Sequence, residues 1–513
     1  MSAIRHALTV KREDDFAAWY QEVVSAGDMA EESGVRGCMV IKPWGYGIWE
    51  RMQRLLDARI KAAGVQNAYF PLFIPLANFV REAAHVEGFA KEMAVVTHHR
   101  LISDGKGGLI PDPEAKLEEP LIVRPTSETI IGDAMSRWIQ SWRDLPLLLN
   151  QWANVVRWEM RTRMFLRTSE FLWQEGHTAH ESREDALSET MRALEMYRAF
   201  AEDDISLPVI AGEKPENERF PGAVGTWSIE AMMQDGKALQ AGTSHYLGTS
   251  FAEAANIRFQ DREGGQQLAH TTSWGVSTRM VGALIMTHGD DDGLRVPPAV
   301  APQQVVIVPM LRDNDGDADL LDYCDWLRAK VSSEHVHGEP VRVLLDSRPG
   351  KAAAKRWDWV RRGAPIIVEV GPRDMENGKV TVLRRDRLWG ADAKPNFTVL
   401  DREVAARTIP GLLVDIQQGL FTEARDRREA NIVRGIDSLD SLAEFFGEDR
   451  RYPGWAEVQW SRPTGAALDA VTETLKALKL TFRNVPLDAA PANGSCLFTG
   501  EPAVERIYVA RSY

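Results

Sequence analysis

Cysteine is scarce in this chain of 513 residues. Only three cysteines occur, and Cys38, Cys324 and Cys496 lie far apart in the sequence. Three widely separated thiols cannot build the disulfide framework that stabilises many secreted domains. The shortage therefore predicts a protein that works in a reducing compartment.

Long apolar runs are also missing. No segment approaches the roughly 18 consecutive apolar residues that a membrane-spanning helix needs. The opening Met-Ser-Ala-Ile-Arg-His contains no apolar core of the kind found in a secretion signal. We therefore expect a cytoplasmic protein without a membrane partner.

Positive charge is in short supply overall, because 61 Lys and Arg face 74 Asp and Glu, a net charge of −13. This balance argues mildly against nucleic acid as a partner, since phosphate binding needs basic surface. A local exception lies between Arg342 and Arg387, where basic residues outnumber acids and Trp357 and Trp359 lie among them. Such a mixture can hold phosphates and stack bases. A solvated charged face over core tryptophans explains the same composition equally well.

The remaining composition is that of a globular protein, with 44% hydrophobic and 26% charged residues. The length predicts roughly two to four domains with sizeable cores. Local patterns predict helices over residues 16–32, 47–63 and 182–203 and a solvent-facing hairpin within residues 100–119. From residue 302 to 370, strands alternate with helices, which predicts a sheet covered by helices.

The most informative segment covers residues 150–177. Read as two strands joined by a turn, it places side chains two apart on one face. Arg157 and Glu159 then share a face on the first strand, and the second strand presents Phe171, Trp173, Glu175 and His177. A cation suits a phosphate, an aromatic ring can stack on a purine and a carboxylate can accept an amine proton. The segment predicts a site for a nucleotide and an amino acid, and the alternative is a buried hairpin with an ion pair between Arg157 and Glu159.

A second segment, residues 270–290, combines a glycine-bearing strand with an apolar helix that has Arg279 in its first part. Helix N-terminal amides and a guanidinium both favour anions. His288 and Asp290 also permit a metal site, although one histidine beside Asp-Asp-Asp is weak support for it.

The pattern Arg-x-Glu, a loop and a returning Phe resembles motif 2 of the class II aminoacyl-tRNA synthetases. The motif is similar in detail to that of the prolyl-tRNA synthetase family, through the sequence Asn-Val-Val-Arg-Trp-Glu followed by Phe-Leu-Trp-Gln-Glu-Gly-His. The resemblance is specifically to the archaeal and eukaryotic-like type, which lacks an editing insertion. The segment around Arg279 resembles motif 3. The resemblance extends over most of the chain.

This resemblance implies an α/β and α+β multidomain fold. Residues 1–300 would form the class II catalytic domain, an antiparallel sheet flanked by helices. Residues 301–408 would form an α/β anticodon-binding domain, and residues 409–513 a small α+β extension similar to a degenerate zinc-binding domain. The helix at 47–63 and a strand at 69–72 resemble motif 1, which implies a homodimer.

The resemblance also implies roles for individual residues. If residues 126–128 are extended, Thr126 and Glu128 present a hydroxyl and a carboxylate together, as the Thr-x-Glu proline loop of the family does. Without the resemblance, Thr-Ser-Glu would more often be a helix cap, and a lone histidine such as His245 would more often be structural. The family comparison makes Arg157 and Arg279 catalytic. It assigns proline binding to Thr126, Glu128, Arg157, Trp173, Glu175, His177, Phe220, His245 and Ser273. It assigns ATP binding to Arg157, Glu159, Thr168, Phe171, Gln240, Thr243 and Arg279. It assigns anticodon contacts to Glu369 and Arg373, and Glu230 is a possible helper for magnesium.

The implied activity is the ligation of proline to tRNA(Pro) with ATP and Mg²⁺. A different class of function is an inactive paralogue that binds tRNA or regulates a partner. Such proteins typically lose the motif 2 or motif 3 arginine, and this chain keeps both Arg157 and Arg279. A threonine enzyme is less expected, because it needs a zinc site for which the catalytic region offers only Cys38 as a thiol.

The first prediction concerns zinc. Many relatives hold zinc in the C-terminal unit through four cysteines, whereas this chain has only Cys496 there, so a four-thiolate site cannot form. Elemental analysis of chelator-washed protein should find no stoichiometric zinc. A retained equivalent that is lost with the activity in Cys496→Ser would contradict this expectation.

The second prediction concerns editing. Only residues 178–269 separate the two motifs, and family segments fill them, so no editing insertion is expected. A pocket distinguishes ligands that differ by a methylene by only about 1–3 kcal/mol, so alanine and cysteine should be activated detectably. The purified protein should leave alanyl-tRNA intact and should produce cysteinyl-tRNA(Pro). Rapid hydrolysis of alanyl-tRNA by this chain alone would show that an editing site has been overlooked.

Overall fold

The computed structural model describes residue 4 and residues 6–81, 93–312, 314–447 and 453–513. Most of the chain up to residue 300 surrounds one large sheet. Its elements, in chain order, are α1 (Phe16–Ala26), β1 (Ala30–Glu32), β2 (Met39–Ile41), α2 (Pro43–Ala62), β3 (Gln66–Asn67), β4 (Phe73–Pro75), α3 (Leu76–Arg81), β5 (Val95–His98), β6 (Leu101–Ser103), β7 (Leu109–Pro111), β8 (Lys116–Val123), α4 (Glu128–Trp138), β9 (Leu147–Val156), β10 (Glu170–His180), α5 (Arg183–Ala199), β11 (Val209–Glu213), β12 (Gly225–Met232), β13 (Ala238–Gly248), α6 (Ser250–Ala255), β14 (Arg258–Gln260), β15 (Gln266–Leu268), β16 (His270–Ser277) and α7 (Arg279–His288).

The remaining described elements form a five-stranded sheet, a four-stranded sheet and a two-stranded sheet with their helices, and one strand joins the large sheet. In chain order, these elements are β17 (Val305–Pro309), α8 (Asp317–Ser332), β18 (His335–Val336), β19 (Glu339–Pro340), β20 (Val343–Leu345), α9 (Ala352–Arg362), β21 (Ile366–Val370), α10 (Pro372–Glu376), β22 (Lys379–Arg384), β23 (Phe397–Asp401), α11 (Arg402–Ala430), β24 (Ile432–Arg434), α12 (Leu439–Phe445), β25 (Trp455–Trp460), α13 (Gly465–Ala477), β26 (Thr481–Phe482), β27 (Val485–Pro486) and β28 (Glu505–Ala510). Within the described ranges, no helix is both long and apolar enough to cross a membrane.

The large sheet has eight strands in the order β27, β11, β12, β13, β16, β10, β9, β3. All neighbouring pairs are antiparallel except β3 and β9. Residues directly opposite in an antiparallel pair point to the same face. Because Glu175 is opposite Gly275 and Gly275 is opposite Thr243, strands β10, β16 and β13 present one continuous polar face. The predicted antiparallel sheet flanked by helices is therefore present.

The opposite face of this sheet is packed against helices. Gly176 is paired with Trp274, and a Cβ on Gly176 would lie 2.2 Å from the indole ring, so only glycine fits there. Tyr197 of α5 packs edge-on against Trp274 at 6.0 Å and donates a hydrogen bond to Gln174 at 2.6 Å. Helix α7 is buried along almost its whole length on this side. One face of the sheet thus packs into the core, and the other, polar face is available for a binding site.

Two local predictions are confirmed. Helix α5 begins at Arg183, where Ser182 caps its amides, and a π-helical turn over Phe200–Asp204 continues it to the predicted end near residue 203. Strands β6 and β7 form the predicted hairpin, and their side chains are exposed.

Three other boundaries differ from the prediction. The first helix ends at Ala26 rather than at residue 32, because the chain turns at Gly27 and Asp28, which has φ 56°, and enters β1. Helix α2 begins at Pro43, since proline suits the first helical turn. Residues 69–72 are not a strand, and β4 begins at Phe73, after Pro71, which has no amide for a ladder.

The second sheet has five strands in the order β20, β17, β21, β22, β23. The first three are parallel and the last two are antiparallel, with α8 and α11 packed on a core of valine and isoleucine. This is the sheet covered by helices that the alternating pattern predicted. Helix α11 is 29 residues long and packs on this core through Ile409, Leu413 and Ile416. The expected domain boundary at residue 408 thus lies inside a continuous helix.

The third sheet has four strands in the order β24, β25, β28, β26, and Cys496 is buried in its core. Strand β27 leaves this unit and joins the large sheet, where Glu213 pairs with Val485 and Gly212 with Pro486. A Cβ on Gly212 would lie 2.3 Å from the Val485 carbonyl oxygen, so a glycine permits this close approach. The C-terminal unit therefore supplies the edge strand of the large sheet.

Buried charged side chains also connect the C-terminal unit to the large sheet. Glu230 is fully buried and lies 2.9 Å from Lys214 Nζ and 2.7 Å from an Arg483 guanidinium nitrogen. Although burial opposes ionisation, Arg483 and Lys214 lower the pKa of Glu230 to about 2. At the C-terminus, the Tyr513 hydroxyl donates to Asp235 at 2.6 Å. The C-terminal unit is thus tied to the large sheet by ionic and hydrogen-bonded contacts as well as by a strand.

We predict that Glu230→Ala lowers the free energy of unfolding by about 3–5 kcal/mol, because it leaves two buried cations without their carboxylate. Lys476→Ala, which breaks an exposed pair with Glu473, is the control and should change it by less than about 1 kcal/mol. Urea unfolding measures both.

The same variant should change the pH dependence of unfolding. Because the pKa of Glu230 is about 2 in the fold and 4.5 in the free side chain, its stabilisation is complete above the higher value and is lost as the pH falls toward the lower one. Wild-type stability should fall more steeply than that of Glu230→Ala over this interval. Parallel pH profiles would contradict the assignment.

Candidate active site

A cavity of about 250 Å³ opens on the polar face of the large sheet. Its walls come from β10, β12, β13 and β16, from the start of α4 and α7, and from the loop after β11. Among the residues predicted for the site, those lining the cavity are Thr126, Glu128, Arg157, Phe171, Trp173, Glu175, His177, Phe220, Gln240, Thr243, His245, Ser273 and Arg279. Both predicted catalytic arginines are therefore in one cavity with every residue assigned to proline.

A buried carboxylate lies at one end of the cavity. Glu175 receives hydrogen bonds from the Ser127 hydroxyl, from Gln151 Nε2 at 2.9 Å and from His177 Nε2 at 2.9 Å. Burial by itself would raise the pKa of Glu175, but the bonds from His177, Ser127 and Gln151 hold it below its ordinary value. Burial likewise opposes charge on His177, yet the bond to Glu175 raises the pKa of the imidazole. This end of the cavity is a preorganised polar pocket.

Thr126 and Glu128 reach the cavity by a different backbone path from the expected one. They are not two residues of an extended segment, because α4 begins at Glu128 with Ser127 as its cap residue. The Thr126 hydroxyl donates to the Glu128 carboxylate. An acid in the first helical turn is favoured by the helix dipole. The general cap interpretation is right for the backbone, while both side chains still face the cavity.

Aromatic and imidazole rings form the adjoining wall. The rings of Phe220 and His245 are 4.7 Å apart, and Thr226 Oγ1 lies 3.0 Å from His245 Nδ1. Burial, together with the nearby His177, lowers the pKa of His245 to about 3, so its ring is neutral at physiological pH. A neutral ring stacked on Phe220 suits a small apolar ligand better than an anion.

Two arginines occupy the other end of the cavity. The Arg157 guanidinium lies 5.2 Å from the Trp173 ring centre and 5.7 Å from that of Phe171, and its Nε donates to the Pro125 carbonyl at 2.8 Å. Arg279 is the first residue of α7, and its Nε donates to the Leu166 carbonyl at 3.3 Å. Burial and the neighbouring Arg157 and Arg167 lower the pKa of Arg279 to about 10, which still leaves it charged at neutral pH. Two close cations beside aromatic rings favour an anionic ligand with a planar ring.

Three predicted nucleotide or metal residues lie off the cavity wall. Strand β9 ends at Val156, so Glu159 lies in the following turn, where its carboxylate accepts from the Arg161 amide at 2.6 Å. Thr168 lines a separate cavity of about 430 Å³ beside Cys38 and Arg163. Glu230 is not among the residues that line the cavity and is fully buried in its ion pairs with Lys214 and Arg483.

The predicted anticodon residues are in the five-stranded sheet unit. Glu369 is buried on β21, and both of its oxygens lie 2.9 Å from an Arg356 nitrogen. Arg373 is exposed on α10. The two residues are therefore close in sequence, but only Arg373 is accessible to solvent.

The weaker metal interpretation receives no support from the geometry. His288 Nε2 lies 3.1 Å from the Ile205 carbonyl oxygen, and Asp290 binds Arg385 at 2.7 Å. Among the residues that the structure describes, no three His, Cys, Asp or Glu side chains are grouped as a metal site would need.

Sequence reasoning missed several residues of the cavity, notably Arg219, Thr226, Gly275 and Ser277. Arg219 adjoins Phe220 and could have been found from its neighbour. Thr226 and Gly275 required the register, because they lie opposite His245 and Thr243 on neighbouring strands. Gln151 was missed for the same reason, since it is opposite Glu175 on β9.

Comparison with known proteins agrees with this geometry. Residues 113–288 match the tRNA synthetase class II core domain shared by the G, H, P, S and T enzymes, and residues 304–389 match an anticodon-binding domain. Proline–tRNA ligases of Erythrobacter litoralis and Novosphingobium aromaticivorans are each 71% identical to this chain, covering all of it and 100% and 99% of their own lengths. That of Paramagnetospirillum magneticum is 53% identical over the whole chain and 99% of its own length.

The fold and the matched domains define a class II aminoacyl-tRNA synthetase core followed by an anticodon-binding domain. Within that class, the chain belongs to the proline–tRNA ligase family.

A prediction for Arg157 follows from its place beside Phe171 and Trp173. Arg157→Ala should slow amino-acid activation by about 10²- to 10³-fold, the usual loss when one aimed donor is removed, and thermal stability should change little because the side chain is only partly buried. Arg137→Ala, exposed on α4 and paired with Asp133, is the matched control. Near-normal activation by Arg157→Ala would exclude the role.

Proposed function

We propose that this protein activates proline with ATP and transfers it to the 3′ end of tRNA(Pro). The observation that carries the proposal is the single cavity that joins the carboxylate and imidazole pocket around Glu175 to the arginine pair Arg157 and Arg279. An amino acid carries an ammonium and a carboxylate, and ATP carries phosphates and a planar base. The two ends of the cavity have the complementary groups in the right order.

In the proposed first step, the proline carboxylate attacks the α-phosphorus of ATP and pyrophosphate leaves. The carboxylate is already ionised at neutral pH, so no general base is needed. Catalysis then depends on alignment and on stabilising the charge that develops at phosphorus. We assign Arg157 to the proline carboxylate and the α-phosphate. We place Arg279 and Phe171 on opposite sides of the adenine ring.

Proline recognition is assigned to the other end of the cavity. The secondary ammonium of proline needs acceptors, and Thr126, Glu128 and Glu175 supply hydroxyl and carboxylate oxygens there. The apolar ring of proline needs a dry surface, which Phe220, Trp173 and the neutral His245 provide. His177 and Ser273 complete this pocket between the two groups.

Mg²⁺ would arrive with ATP, bound to its phosphates. Gln240 and Thr243 line the cavity and are proposed to contact the nucleotide, and Glu159 and Thr168 on the neighbouring turn remain candidates for the same role. Glu230 is a poor candidate for magnesium, because Lys214 and Arg483 already engage its carboxylate.

We further propose that the protein is of the type without an editing insertion and works in the cytoplasm. Between β10 and β16, the chain forms α5, β11, β12, β13, α6, β14 and β15, and strands β11 to β13 belong to the large sheet itself. Because these elements occupy the segment between β10 and β16, they leave no stretch long enough for an additional editing domain. The inactive alternative has no observation in its favour, since Arg157 and Arg279 both line the cavity.

For tRNA, we propose that residues 301–408 bind the anticodon through Glu369 and Arg373, with residues 1–300 as the catalytic domain and 409–513 as an extension. Glu369 would have to exchange its bond with Arg356 for a base contact. A homodimer is proposed from exposed apolar residues, which are Tyr69 and Phe73 after α2 and Trp138 at the end of α4, with exposures of 73%, 46% and 50%. Exposed apolar groups of this kind mark interfaces.

An ATP–pyrophosphate exchange assay across the standard amino acids tests the proposed activity. Exchange should depend on proline, with weaker signals from alanine and cysteine, and tRNA(Pro) should then become charged. Clean tRNA binding without exchange would favour the inactive alternative instead. Light scattering of the purified protein tests the dimer, and a monomer mass at micromolar concentration would exclude it.

A further inference from the structure

The loop that carries Phe220 is attached to two different parts of the protein. On the cavity side, Arg219 and Phe220 line the wall, and the Phe220 amide donates to Thr226 Oγ1 at 3.0 Å. On the far side, Asn217 Nδ2 donates to Thr472 Oγ1 at 2.9 Å, and Thr472 belongs to α13 of the C-terminal unit. The loop is therefore held between the substrate cavity and a unit of which no described residue lines that cavity.

A shared carboxylate forms a second link. One oxygen of Glu213 is 3.5 Å from an Arg219 nitrogen, and its other oxygen is 2.9 Å from an Arg462 nitrogen. Arg462 is also held by both oxygens of Glu505, at 2.8 and 2.9 Å. An arginine of the cavity wall and an arginine of the C-terminal unit thus share one carboxylate, each through a different oxygen.

The backbone fixes where this carboxylate lies. Glu213 is the last residue of β11 and pairs with Val485 of β27. A small cavity of about 60 Å³ separates the loop from the C-terminal unit, and Arg219, Arg462, Trp460 and Glu505 line it. Because Arg219 faces both this cavity and the substrate cavity, a displacement of its partners is passed to the wall beside Phe220.

We propose that Arg462 is a positioning residue for proline binding. It does not touch the substrate. Through Glu213 it holds Arg219, and so it keeps Phe220 against His245 at the amino-acid end of the cavity. The inference rests on the proposed proline-activating function. It adds a role for the C-terminal unit, which is to hold the loop that carries Phe220 in position.

The test uses Arg462→Gln in the full-length protein and the exchange assay with proline and ATP varied separately. The KM for proline should rise about two- to five-fold, the range expected for a partly exposed ion pair, while the KM for ATP and kcat stay unchanged. Arg462→Lys should restore part of the loss. Glu213→Gln should reproduce it, and the double variant should be no worse than either single variant, because both act on one link.

Arg434→Gln is the matched control, because Arg434 pairs with Glu429 and Glu457 in the same unit, and none of the described ion pairs joins it to the loop. It should leave the KM for proline unchanged. An unchanged KM in Arg462→Gln, or equal rises in both KM values, would overturn the proposal. So would a lower melting temperature with wild-type kinetics, which would make the role merely structural. Proline-dependent exchange by the wild type in the same assay separates this failure from a failure of the proposed function.

Discussion

The register between β10, β16 and β13 is the constraint on which the site depends. It brings Glu175, Gly275 and Thr243 into one row and His177, Ser273 and His245 into the next, all facing the cavity. The same register sends Gly176 and Trp274 into the core. A slip of one residue would exchange the two faces completely. The tight contact of Gly176 with the indole therefore protects the chemistry on the other side of the sheet.

The charged groups of the cavity lie at its two ends. Glu175 is kept ionised at one end by three hydrogen bonds, and Arg157 and Arg279 are kept close together at the other. The bond from His177 gives the Glu175 end the character of an ion pair, while the other end carries two cations beside aromatic rings. A zwitterionic amino acid and a polyanion complement these two ends. Binding energy is thereby directed to orienting the two substrates toward each other.

The parts of this structure that follow from local periodicity could be predicted from the sequence, and the parts that depend on distant partners could not. The shared face of Phe171, Trp173, Glu175 and His177 follows from the alternation of a strand, and the position of Arg279 follows from a strand turning into a helix. The family likeness then supplied Phe220 and His245, which no local pattern marks. The helical start at Glu128 was only the alternative to an extended segment, and the end of α1 at Ala26 was missed, because capping at one or two residues decides both. The ion pairs of Glu230 were missed because Arg483 is far away in the sequence. The periodicity of a helix or strand relates only nearby residues and cannot indicate such a pairing.

The edge strand β27 has a consequence for how the protein is made. The other seven strands of the large sheet precede β27 in the chain, so a nascent chain that stops short of Arg483 already has every described residue that lines the cavity. Until β27 emerges, Glu230 and Lys214 lack Arg483 as the third member of their ion cluster, and β11 has an open edge that another strand can occupy. A truncated messenger would therefore yield a product that looks catalytically complete in sequence and is exposed to proteolysis and to pairing with other chains.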